Sequence, residues 1–100
     1  MFMGDLFVVV SLRAKAGKEG TLRRDLKAIV DQSRKEEGNI SYDLFIDRAD
    51  PSRFVFIEHW ASQEHQHKHH NEGPHIQFFH ENGAQNVENT EFAYFLDRLE

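Results

Sequence analysis

Glu58 and Trp60 close the run Phe54-Val55-Phe56-Ile57-Glu58-His59-Trp60. In a strand, residues two apart share a face, so the carboxylate and the indole stand beside Phe54 and Phe56. An apolar face that ends in a carboxylate and an indole N–H suits the lining of a pocket better than plain core. There Glu58 can take a proton or orient a histidine; equally, it can pair with a helix Lys or Arg or cap a backbone N–H. Trp60 can line the pocket or close the end of the core. Most of the seven histidines follow, between His65 and His80. His65 and His69 are four apart and share a helix face, as His67 and His70 do in part. Two imidazoles at that spacing can chelate zinc, and a catalytic zinc needs a third ligand, for which Glu64 or Glu72 is available. The competing reading, a solvated polar face that happens to be rich in His, is preferred, and no metal is assigned. His75 follows Pro74 in the first turn of a short helix. The helix dipole there favours the neutral imidazole, able to act as a base or to hydrogen-bond an anion. Tyr42 offers a hydroxyl, although a packed Tyr with its hydroxyl satisfied is the default.

The elements that must position these groups follow from periodicity. Asp5–Arg13 reads as a strand, with Leu6, Val8, Val10 and Leu12 on one face and Phe7 and Val9 on the other. After a turn, Lys18–Glu37 reads as a helix with a single apolar stripe of Leu22, Leu26, Ile29, Val30 and Ser33. Gly38 is expected to close it as a C-terminal cap with positive φ. Asn39–Asp47 and Arg53–Trp60 form a hairpin about the Pro51 turn. Ser62 caps the next helix, which runs to about Asn71. Glu72-Gly73-Pro74 breaks it, and Pro74 suits the first turn of a short helix carrying Ile76, Phe79 and His80 and ending near Gly83. Glu88–Asp97 is the last strand. The order β-α-β-β-α-β is the α+β, ferredoxin-like arrangement, with helices on one face of a four-stranded antiparallel sheet. Both faces of the strands are apolar, so the face without helices needs a cover, and a second copy of the chain supplies it.

One hundred residues predict a single domain over 1–100. A formal net charge of −5 argues against a nucleic-acid surface. The chain has no Cys, which removes disulfides, thiolate metal sites and thiol catalysis, and is compatible with the cytoplasm, the expected location. Met1–Asp5 holds neither a basic region nor a long apolar run, so no signal peptide and no membrane span are expected.

Glu37-Gly38-Asn39-Ile40-Ser41-Tyr42-Asp43, Arg53-Phe54, Glu58-His59-Trp60, His70 and Pro74-His75, taken in order and over nearly the whole chain, resemble the antibiotic biosynthesis monooxygenase family. That resemblance implies a dimeric α+β barrel of ferredoxin-like subunits. It also implies oxygen chemistry without a cofactor, in which an aromatic or quinol-like small molecule is deprotonated and its anion passes an electron to O2. Such a site needs a dry cavity, a base near neutral pKa and donors where phenolate charge develops. The resemblance puts His70 or His75 in the role of base and the Trp60 indole and Tyr42 hydroxyl in that of donors. Glu58, Phe45, Phe56 and Phe79 then bind substrate. Gly38–Asp47 and Pro74-His75 look as much like a branch of isomerase-type enzymes acting on small phosphorylated or carbonyl compounds. A non-catalytic dimer holding a ligand or haem is the third reading. His80 lies near the position of a haem-ligating histidine, but the first strand has no Asn and the single Trp is in the third strand.

Overall fold

A computed structural model describes residues 4–100; Met1–Met3, part of the Met1–Asp5 segment in which no signal peptide is expected, lie outside the described residues. Strand β1 (Leu6–Ala14) leads to helix α1 (Glu19–Ser33), then to the hairpin of β2 (Asn39–Ile46) and β3 (Arg53–Trp60). Helices α2 (Gln63–Glu72) and α3 (Pro74–Asn82) follow, then one 3-10 turn (Ala84–Asn86) and β4 (Val87–Leu96). The sheet order is β2-β3-β1-β4, with every neighbour pair antiparallel. This is the ferredoxin-like α+β fold, its second helical segment divided in two. Gly73 divides it: its extended ψ of 121° ends α2, and Pro74, which has no N–H to lose, opens α3.

Helix α1 buries Leu22, Leu26, Ile29, Val30 and Ser33, the stripe its periodicity predicts. These side chains pack on Leu6, Val8, Phe54, Phe56, Tyr42 and Trp60, all on the helix-covered face of the sheet. Register explains the sharing: Leu6 faces Trp60, Val8 faces Glu58, and Glu58 faces Tyr42.

Gly38 does have positive φ (+84°), but it does not cap α1. The helix ends at Ser33, because Lys35 and Glu36 donate their N–H groups to Gln32 and Ser33, three residues back, and the coil tightens into turns. Gly38 instead lies under α2, where a Cβ would sit 2.1 Å from Cγ of His65.

The opposite sheet face carries Phe7, Val9, Phe45, Val55, Ile57, Tyr94 and Leu96. Phe45, Ile57 and Tyr94 are each about half exposed (50%, 45% and 55%). One end of that face is polar: Arg53 bridges Asp47 at 2.7 Å and Glu91 at 2.7 Å, and Arg13 reaches Asp50 at 2.9 Å. Among the described residues, no helix is long and apolar enough to cross a membrane.

Candidate active site

Between the covered sheet face and helices α2 and α3 lies a cavity of about 460 Å³. The sheet supplies Val8, Val10, Tyr42, Phe56, Glu58, Ala93 and Phe95 to its wall; the helices supply His69, His70, Ile76, Phe79 and His80. Among the described residues, no Arg or Lys lines it.

Among the described residues Glu58 is the one carboxylate in this wall, and only 5% of it is exposed. Burial among apolar side chains pushes its carboxyl up to about 7; the N–H of Trp60, donated to Oε1 at 2.9 Å, pulls the other way, and the charge of Glu36 adds a further rise. Strand geometry places donor and acceptor on one face. Tyr42 stands opposite Glu58 on β2, and burial, then the Glu58 charge, holds its phenol well above the usual range.

Helix α2 has no apolar stripe, so a polar residue is what it buries: His69, 4% exposed. Its ring packs 4.8 Å from that of Trp60 and 5.3 Å from that of Tyr42. Desolvation pulls its pKa down to about 4, with the neighbouring charge of His70 adding to the effect. Nδ1 of His69 hydrogen-bonds Glu36 Oε1 at 2.5 Å, and Nε2 of His75 lies 3.2 Å from the same oxygen. Ser33 Oγ is 3.1 Å from His75 Nε2. Burial lowers the pKa of His75 and raises that of Glu36, and the mutual attraction of the two opposes both shifts. One ligand atom each from Glu36, His69 and His75 thus lies within 4.8 Å of the others, the arrangement here able to hold a metal.

Of the residues expected from sequence, the cavity gathers Tyr42, Glu58, Phe56, Phe79 and His70. Burial lowers the pKa of His70, as do His80, whose ring is 5.6 Å away, and His67. Trp60 does not reach the cavity: it is wholly buried, and its N–H is already given to Glu58. His75 stands behind His69, beside an outer depression shared with Gln32, Lys35, Glu36 and Pro74. Phe45 lies on the far side of the sheet, because it shares its parity with Val55 rather than with Phe56. His65, the expected partner of His69, turns instead to Ser62, its Nδ1 2.7 Å from the hydroxyl, and Glu64 and Glu72 take no part in the metal-competent cluster. No motif in the sequence marks Glu36 for a role or His69 for the cavity. The available signal was a helix that must pack yet offers no apolar face.

Residues 5–82 match the family model described as antibiotic biosynthesis monooxygenase. The Bacillus subtilis (strain 168) protein named "Putative monooxygenase YcnE" is 35% identical over 68 residues, 68% of this chain and 70% of that one. The crystal structure of PA3566 from Pseudomonas aeruginosa matches with a TM-score of 0.88 at 31% identity over 100% of both chains. The structure of Rv0793 from Mycobacterium tuberculosis matches with a TM-score of 0.86 at 21% identity over 96% of each chain, a likeness of fold.

Proposed function

The chain belongs to the antibiotic biosynthesis monooxygenase family, and on that premise we propose that it oxidises a phenol or quinol with O2 in the cavity beside Glu58. The observation that carries this reading is the carboxyl of Glu58, 5% exposed in a largely apolar wall, where burial raises its pKa to about 7. A base is most effective near the working pH. Glu58 takes the phenolic proton, and the phenolate passes one electron to O2. The aryloxyl radical and superoxide then combine to form a carbon–oxygen bond. Loss of the ring C–H proton and cleavage of the O–O bond release water and leave a quinone, so that one phenol and one O2 yield one quinone and one water. The substrate supplies all the electrons, so no organic cofactor is called for. Phe56 and Phe79 hold the ring and exclude water from the radical pair. His70, at the more exposed side of the wall, exchanges the second proton with solvent. The Tyr42 hydroxyl donates to the developing anion.

In this reading Trp60 positions the base rather than touching substrate, and two copies of the chain pair through the open sheet face. A phosphorylated substrate fits less well, since among the described residues no Arg or Lys lines the cavity to meet a phosphate.

The test is oxygen consumption by purified protein offered a panel of quinols and hydroxylated polycyclic aromatics. Uptake that requires the protein and is lost in Glu58→Gln and reduced in His70→Ala supports the proposal. No uptake across the panel overturns it and favours an isomerase or a ligand-binding dimer.

A further inference from the structure

We propose that Glu36, His69 and His75 form a binding site for a divalent transition-metal ion of the zinc class, set in the wall behind the cavity. Three elements converge there: the turn after α1, the inner face of α2 and the first turn of α3. The donor set is two imidazole nitrogens and one carboxylate oxygen, which suits Zn²⁺ or Co²⁺ and disfavours Ca²⁺ or Mg²⁺. The geometry is close to what such an ion needs. In a tetrahedral site with bonds near 2.0–2.1 Å, neighbouring ligand atoms stand ~3.3 Å apart. Glu36 Oε1 and His75 Nε2 are already 3.2 Å apart, and all three atoms fall within 4.8 Å. Glu36 Oε1 and His69 Nδ1, now hydrogen-bonded at 2.5 Å, would separate by less than the width of an atom.

Charge points the same way. The Glu36 carboxylate is partly withdrawn from water, and the groups within ion-pair distance of it are the imidazoles of His69 and His75, with the Lys68 charge further off. A divalent ion supplies the positive charge that this group of ligands lacks. The outer depression edged by Gln32, Lys35 and Pro74 gives the ion a way in from solvent. Ser33 Oγ, 3.1 Å from His75 Nε2, or a water completes the coordination. Because His69 also lines the cavity, the ion would tie the turn after α1 to α2 and α3 and stiffen that wall. It stands behind the cavity rather than in it, so the site does not depend on which reaction the cavity performs.

The experiment is calorimetric titration of the metal-depleted full chain with Zn²⁺, alongside the visible absorption of bound Co²⁺. The expected result is one Zn²⁺ per chain and a four-coordinate Co²⁺ spectrum. Glu36→Gln and His75→Ala should each weaken binding by more than the ~10–100-fold lost when a group that merely orients a ligand is removed. The double variant His67→Ala/His80→Ala should bind as the parent does, which separates this site from adventitious binding by exposed histidines. Zn²⁺ should raise the melting temperature of the parent and leave that of Glu36→Gln unmoved. Absence of binding, unchanged affinity in Glu36→Gln or in a folded His75→Ala, or loss of binding in the double variant overturns the proposal. Should His75→Ala fail to fold, the isosteric Glu36→Gln decides alone.

Discussion

The indole N–H of Trp60 donates to the carboxylate of Glu58 at 2.9 Å, from two residues further along the same strand. Both side chains are buried, and only Glu58 reaches the cavity. Two opposed effects therefore act on one carboxyl: removal from water raises its pKa, and the indole holds it back at about 7. The shorter spacing of two strand residues on one face makes this pairing independent of any long-range loop.

The pair predicts a pH profile. In steady-state assays kcat/KM should rise as pH increases through about 7, as Glu58 loses its proton and becomes a base. Trp60→Phe keeps most of the ring but removes the donor, so the rise should move to higher pH. Glu58→Gln should stay inactive across the whole range. A midpoint that stays put in Trp60→Phe would show that the indole does not tune the base.

Glu58 also ties stability to pH. Its folded pKa of about 7 lies above the unfolded value near 4.5, so between those values the folded state binds the extra proton. Stability from this group is complete below pH ~4.5 and declines as pH rises through about 7. Once the buried group is ionised, the cost is on the order of 3 kcal/mol. Glu58→Gln stays neutral throughout. Relative to the parent it should gain stability, by up to that amount, on going from pH 5 to pH 8. Urea unfolding at both pH values measures this, and a pH-independent difference would contradict the buried-carboxyl account.

Phe45 stands half exposed on the open sheet face, opposite Val55. If two copies pack there, Phe45→Glu places a charge in an apolar contact and should raise the dimer dissociation constant ~10-fold or more. Sedimentation velocity reads this directly. An unaltered dimer would place the contact elsewhere.

Gly38→Ala should destabilise the fold by about 1–3 kcal/mol from backbone strain alone, since φ is +84°. The clash of the new Cβ with His65, at 2.1 Å, adds to it. Combining it with His65→Ala removes the ring contacts but leaves the two Cβ atoms 2.6 Å apart, so recovery should be partial and the strain should remain. Full recovery in denaturant midpoint would mean that φ is not the constraint.

The sequence alone determined what depends on local period and composition. A run of aromatic and β-branched residues, apolar on both faces, delimited β3 at Arg53–Trp60, and the 3.6-residue stripe on α1 named its five buried residues. Element order then led to the ferredoxin-like topology, and the parity of Phe56 and Glu58 put both on the face that became the cavity wall. Tertiary structure decided the rest. Helix α2 reads Gln-Glu-His-Gln-His-Lys-His-His-Asn-Glu, with no apolar side to mark which histidine turns inward. Only its packing against Trp60 and Tyr42 selects His69. Glu36 comes from a turn and His75 from a third helix, separated by 39 positions in the chain. The approach of His69 and His75 to one Glu36 oxygen follows from how three helices settle on a sheet, a long-range arrangement that local periodicity does not encode.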